Sequence, residues 1–223
     1  MTLPNKQYRW ITLDAVGTLI DPHPSVGHLY SAVLARHGVE AAHSQLQTRF
    51  IEVFKGMTRS PREGICDASE YQFWKKLVLD VISPWMNNGK ADAVFEDAYE
   101  SFARADSWRA IDGAHELLDV LSERGYKLAL LSNADSRIRK IIQELGLATH
   151  MEHIFLSCDL GYEKPDSRIF KKVEGILGCG PEEILHVGDS RRNDGEGPRS
   201  AGWQTMVIGA ELPDLASLAK AVP

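Results

Sequence analysis

Four short segments of the chain place polar residues directly after apolar runs, and together they hold the groups needed to bind a divalent cation and a phosphate. The first is Ile11-Thr12-Leu13-Asp14-Ala15-Val16-Gly17-Thr18, where an apolar run ends in an acid and a Gly-Thr turn. The second is Ser132-Asn133, after Lys127-Leu128-Ala129-Leu130-Leu131. The third is Lys164, within Gly161-Tyr162-Glu163-Lys164-Pro165-Asp166. The fourth is Gly188-Asp189-Ser190-Arg191-Arg192-Asn193-Asp194, after Ile184-Leu185-His186-Val187. Carboxylates suit Mg²⁺, the lysine supplies positive charge, and hydroxyl and amide groups donate to phosphoryl oxygens. Asp14 offers a nucleophile. A carboxylate two residues further on would lie on the same side of an extended chain and act as proton donor, but position 16 is valine.

These segments converge only if each ends a strand of one parallel sheet, because open α/β sheets bind ligands at the carboxyl ends of their strands. The flanking sequence predicts that arrangement. Tyr8–Leu13 reads as a first strand, Lys127–Leu131 as a second, then Ile154–Ser157, Ile184–Val187 and Trp203–Ile208. Helices are expected over Gly113–Arg124, Ser136–Leu145 and Ser167–Leu177, and strands alternating with helices indicate a parallel sheet with right-handed crossovers.

Residues 24–107 break that alternation. Ser25 is a suitable cap for a helix ending at His37, and Leu46, Phe50, Val53 and Phe54 recur at helical spacing. So do Tyr71, Trp74, Leu77, Val78 and Val81, and a further helix is expected over Ala91–Arg104, after the Asn87-Asn88-Gly89 break. The fold class is therefore α/β, a Rossmann-like parallel-sheet core with an inserted α-helical cap. Residues 1–20 and 108–223 form the core and residues 21–107 the insert. An insertion straight after the first strand hangs over the end that Asp14 marks.

The ordered set of four motifs resembles the haloacid dehalogenase superfamily, in the subgroup with a helical cap between the first and second motifs. Asp-Ala-Val-Gly-Thr-Leu, Gly-Tyr-Glu-Lys-Pro-Asp and Glu-Gly-Pro-Arg-Ser-Ala-Gly-Trp are most similar to the rhythmically-expressed-gene-two-like hydrolases. The resemblance implies a nucleophilic Asp14 that forms an aspartyl-phosphate, with Thr18 positioning the site. It implies that Ser132 donates to a phosphoryl oxygen and Asn133 orients the substrate, while Lys164 neutralises charge. Mg²⁺ would be held by Asp14, Asp189 and the Val16 carbonyl. Asp194, with Asn193 nearby, would act through a water or by fixing Lys164.

Family phosphatases carry an aspartate where this chain has Val16, so the resemblance implies a hydrolase that favours phosphates with easy leaving groups. Two other readings stay open. One is a metal-independent 2-haloacid dehalogenase, for which Arg36 or Arg49 would hold the substrate carboxylate. The other is a non-catalytic binding or regulatory protein on the same fold. His23 and His28 are placed to face the cleft or the solvent. Arg59, Arg62 and the Ser60-Pro61 break are read as a mobile cationic loop, and the aromatics Phe50, Phe54, Tyr71, Phe73, Trp74 and Trp85 as packing among the cap helices.

At 223 residues with 43% hydrophobic and 25% charged residues, the chain has the composition of a globular protein that needs no staple. Its net charge of -6 offers no broad basic field for nucleic acid. No apolar run approaches the ~20 residues that span a bilayer, and Met1–Lys6 lacks the apolar core of a signal peptide. Cys66, Cys158 and Cys179 fit no metal-ligand spacing and are expected as free thiols. The expected protein is cytoplasmic, a monomer or weak homodimer, acting on a small phosphorylated molecule without nucleic acid or membrane.

Overall fold

The computed structural model describes residues 8–57, 64–86 and 89–222. Met1–Lys6, the loop read at Arg59, Ser60, Pro61 and Arg62, and the Asn87-Asn88 pair lie outside the described residues.

The chain begins with β1 (Trp10–Leu13) and a short β2 (Ile20–Pro22), then α1 (Val26–Arg36), α2 (His43–Gly56), α3 (Asp67–Ile82) and α4 (Ala91–Ser101). After β3 (Trp108–Ala110) come α5 (Ala114–Glu123), β4 (Lys127–Ser132), α6 (Arg137–Glu144), β5 (Met151–Leu156), α7 (Ser157–Leu160) and α8 (Ser167–Leu177). The chain closes with β6 (Ile184–Gly188), a π-helical turn over Arg191–Glu196, α9 (Gly197–Ser200), β7 (Gln204–Val207) and α10 (Leu215–Ala221).

Of the described residues, those within Met1–Ile20, Pro61–Cys66 and Ala110–Pro223 form one compact unit, and those within Asp21–Ser60 and Asp67–Arg109 another. The first unit is built on a five-stranded sheet in the order β5-β4-β1-β6-β7, with every described pair parallel. Every residue of β1 and β6 is buried. Both faces of these strands are therefore covered, which explains why they read as continuous apolar runs rather than as an alternating pattern. On one face Trp10, Leu131, Phe155, Phe170, Val173 and Trp203 share a single core cluster. The Asp166 side chain caps α8 by accepting from Arg168 N, so the same acid that follows Lys164-Pro165 starts the next helix.

The second unit packs α1–α4 around Tyr30, Leu34, Leu46, Leu77, Val81 and Phe95. Ser25 caps α1 by accepting from His28 N, as its sequence position suggests. Phe50, Tyr71, Phe73, Trp74 and Trp85 pack against this cluster, whereas Phe54 is exposed. Three features depart from the sequence reading. Gly64–Cys66 belongs with the sheet unit rather than the insert, because Ile65 N donates to Gly161 O at 3.2 Å. The strands β2 and β3 pair as a separate two-stranded sheet, too short to produce a periodic signal. The helix α10, capped by Asp214, has only two turns and carries its buried face on Leu215 and Leu218.

Candidate active site

The turn after β1 folds back on itself. Asp14 N donates to Val187 O at 2.9 Å, extending the β1–β6 ladder by one residue, and Leu19 N and Ile20 N both donate to Ala15 O. Gly17 N returns the turn to Ile20 O at 2.9 Å. Gly17 has φ +85°, and a Cβ there would stand 2.8 Å from Asp189 Oδ2, so both backbone and space require glycine. Val16, the middle of this turn, is 39% exposed.

Lys164 is the hub of the site. Its Nζ donates to Asp14 Oδ1 at 2.9 Å, to Asp194 Oδ1 at 2.6 Å and to Leu131 O at 2.7 Å. Three partners use all three ammonium protons. Burial alone would depress the Lys164 pKa, but the Asp14 and Asp194 carboxylates outweigh it and hold the value above that of an ordinary lysine. The backbone on which this ammonium hangs is clamped from β4. Asn133 Nδ2 donates to Lys164 O and Lys164 N donates to Asn133 Oδ1, both at 2.7 Å.

Asp194 is fixed on both oxygens. Oδ1 takes Lys164 and His186 Nε2 (3.1 Å), and Oδ2 takes Ser190 N at 2.9 Å. Burial opposes its ionisation, yet Lys164 and His186 hold its pKa well below the usual carboxylate range. A Cβ at Gly188 would come 2.3 Å from Asp194 Cγ, so glycine is what lets this carboxylate lie against the end of β6. Asp189 behaves differently. Burial of its carboxyl group and the nearby Asp14 and Asp194 push its pKa up to about 6, although the residue keeps solvent-exposed surface.

One carboxylate oxygen from each of Asp14, Asp189 and Asp194 lies within 4.8 Å of the others. Among the described residues the Asp189 carboxylate takes only its own backbone N–H, and Lys164 is bound to Asp14 through Oδ1, whereas Asp194 takes three donors, from Lys164, His186 and Ser190. The donor set thus fits Mg²⁺, which favours hard oxygen ligands and retains water in the rest of its shell. The ligands would be Asp14 and Asp189, with Asp194 securing Lys164.

Five of the sequence-predicted residues thus sit together: Asp14, Asn133, Lys164, Asp189 and Asp194. Thr18 and Ser132 are buried, and the Thr18 hydroxyl has no protein hydrogen-bond partner among the described residues. The Asn133 side chain, assigned to the substrate by resemblance, is engaged with the Lys164 backbone instead. Arg36 is paired with Asp97 (2.7 Å) and Ser101, and Arg49 donates to the carbonyls of Val81 and Asp80 at the end of α3. His23 is exposed, and His28 stacks on His43 with ring centroids 3.8 Å apart.

Two residues of the network have no counterpart in the motif reading, Thr12 and His186. The available signal was a single polar residue inside each of two apolar strands, Trp10-Ile11-Thr12-Leu13 and Ile184-Leu185-His186-Val187.

Comparison with known proteins agrees with this architecture. Residues 8–202 match the family model of haloacid dehalogenase-like hydrolases. The chain is 30% identical over 213 residues to the human haloacid dehalogenase-like hydrolase domain-containing protein 3, covering 93% of this chain and 85% of that protein. It is 24% identical over 216 residues to the Drosophila melanogaster rhythmically expressed gene 2 protein, covering 91% and 83%. The magnesium-bound HAD-hydrolase YfnB of Bacillus subtilis shares the fold with a TM-score of 0.77 at 20% identity, over 96% of this chain and 98% of that one. Phosphatases and dehalogenases both occur among the structures of this fold. No helix among the described residues is long and apolar enough to cross a membrane. With Asp14, Asn133, Lys164, Asp189 and Asp194 from its four motifs gathered together and a match over most of its length, the chain belongs to the haloacid dehalogenase-like hydrolase family.

Proposed function

We propose that the protein is a Mg²⁺-dependent hydrolase of phosphate monoesters and acyl or aryl phosphates, acting through an aspartyl-phosphate on Asp14. The observation that carries this reading is the Lys164 ammonium held between Asp14 and Asp194, with Asp189 beside them and short of positive charge. The Asp14 carboxylate attacks phosphorus, the bond to the leaving oxygen breaks, and the phosphoryl group is carried on Asp14. Water then attacks the same phosphorus, the bond to the Asp14 oxygen breaks, and inorganic phosphate leaves with the carboxylate restored. Lys164 lies against the nucleophile throughout and offsets negative charge on its oxygen. Mg²⁺, held by Asp14, Asp189 and the Val16 carbonyl, would supply the remaining charge neutralisation for the phosphoryl oxygens. Phosphoryl transfer depends chiefly on such positioning and charge compensation.

Val16 provides no proton for the departing oxygen, so leaving groups that depart as stable anions are favoured. The dehalogenase alternative is weakened by the cap arginines, because Arg36 and Arg49 are both spent on partners within their own unit. Turnover of p-nitrophenyl phosphate and acetyl phosphate, with and without Mg²⁺, tests the assignment. The expected result is Mg²⁺-dependent phosphate release that Asp14→Asn abolishes, with no halide release from 2-chloropropionate. Cleavage of neither phosphate above the Asp14→Asn background refutes it.

A further inference from the structure

Thr12 and His186 are register partners in the parallel β1–β6 ladder. Registered residues of neighbouring strands face the same side of a sheet, and here the side chains meet, with Thr12 Oγ1 2.8 Å from His186 Nδ1. Both residues are fully buried, and Trp203 lies edge-on to the imidazole with ring centroids 6.2 Å apart. The other ring nitrogen, Nε2, lies 3.1 Å from Asp194 Oδ1, the oxygen that also takes Lys164 Nζ. Nε2 is also 3.5 Å from Lys164 Nζ, but all three ammonium protons are committed to shorter contacts. The Nε2 proton must therefore point at Asp194, since a lone pair there would face a carboxylate.

We propose that His186 is a positioning residue: its Nε2–H fixes the Asp194 carboxylate, which in turn holds the Lys164 ammonium on Asp14. A buried imidazole in the centre of a sheet costs more than an aliphatic side chain unless both nitrogens are satisfied, and here Thr12 and Asp194 satisfy them. Without the Nε2–H, Asp194 Oδ1 keeps Lys164 as its sole donor, and the carboxylate is held by one fewer bond. Groups that orient the members of a metal site from behind are typically worth about 10- to 100-fold in affinity or activity. The activity arm of the test rests on the phosphatase reading above; the other arms do not.

The test compares His186→Gln, whose amide nitrogen can replace Nε2–H, with His186→Leu, which suits an apolar strand but donates nothing. For p-nitrophenyl phosphate, the leucine variant is expected to lose about 10- to 100-fold in kcat with KM within about 3-fold, and to bind Mg²⁺ about 10-fold more weakly by calorimetry. The glutamine variant should stay within about 3-fold of the parent in all three. A role in packing alone reverses the order, so leucine equal to or better than glutamine overturns the proposal. Long-range ¹⁵N–¹H spectra of the labelled parent protein, without substrate, should report a proton on Nε2 of His186. A proton on Nδ1 alone overturns the proposal whatever the turnover. If His186→Leu does not fold, His186→Met, which also donates nothing to Asp194, takes its place with the same losses in kcat and Mg²⁺ affinity expected; values within about 3-fold of the parent overturn the proposal. If the parent cleaves no phosphate ester, the phosphatase reading falls, while the spectrum and Mg²⁺ affinities still decide the role of His186.

Discussion

The replacement Val16→Asp gives the sharpest test of the proposed chemistry. General acid–base catalysis is typically worth about 10²- to 10⁴-fold, equivalent to roughly 3–5 kcal/mol of barrier. Val16 is 39% exposed, so exchanging it for a carboxylate opens no cavity in the core. Two residues of backbone span at most about 6.5 Å, which sets the scale of the separation between the new acid and Asp14. At an effective dielectric constant near 20, one like charge at that distance costs about 2.5 kcal/mol, or roughly two pKa units. The carboxyl is thereby lifted from about 3.9 toward about 6, where it still holds a proton for part of the time near neutrality. The assay is kcat/KM for ethyl, phenyl and p-nitrophenyl phosphate. This quantity reports the step in which the leaving group departs, whereas kcat also includes hydrolysis of the common aspartyl-phosphate. The expected gain is on the order of 10²-fold for the ethyl ester and less than about 3-fold for the p-nitrophenyl ester. An equal factor across the series, in a variant that melts with the parent, refutes the leaving-group reasoning.

Two further outcomes follow from buried and paired charges. Lys164→Met removes the donor to Asp14, Asp194 and Leu131 O, and a buried pair broken on one side typically costs about 3–5 kcal/mol. The carboxylates left behind hold protons more tightly, so urea denaturation should show a larger deficit at pH 8 than at pH 5, and an unchanged deficit refutes the charge argument. In the helical unit, a hydrogen bond from Arg36 leads the interactions that hold the Asp97 pKa below its ordinary value of 3.8, with His37 adding to it. An acid with a depressed folded pKa stabilises the fold above its unfolded pKa and loses that contribution as pH falls through the folded value. Asp97→Asn should therefore cost about 1 kcal/mol at pH 7, reduced by solvent exposure. The gap should shrink below about pH 4 in paired chemical denaturation curves.

The site was legible where chemistry sits at strand ends. Asp14, Lys164, Asp189 and Asp194 each follow an apolar run or a turn, where a single polar residue is ordinarily a cap or a solvated side chain; the four motifs together, in order, mark a site. The sequence marks Asn133 but not its partner. Its amide reaches across 31 positions of sequence to the Lys164 backbone, a pairing set by where the β5–α8 connection returns beside the end of β4. Thr12 and His186 are not marked in the same way, because each strand taken alone reads as an apolar run with one polar exception. Only the register that sets them side by side turns two exceptions into one hydrogen bond. The fold was more readable than its edges. The Ser167–Leu177 helix is as the sequence predicts, bounded by an Asp cap and a Gly stop, whereas β5 starts at Met151, three residues before the apolar signal. The earlier start follows from pairing with β4, where Met151 meets Leu128.

Charge bookkeeping links the lysine, the proposed metal and Val16. With Asp189 ionised, three carboxylates and one ammonium leave two negative charges at the end of the sheet. A phosphate dianion approaching that centre is repelled, and one divalent cation brings the site to neutrality. The same count limits what position 16 can hold. An ionised aspartate there would return one negative charge to a cluster that already raises the pKa of Asp189 to about 6. A fourth acid is therefore tolerated best while protonated, the form that donates to a leaving group. Valine avoids the repulsion and forgoes the proton, so the binding and transfer of phosphoryl groups survive while the range of leaving groups narrows.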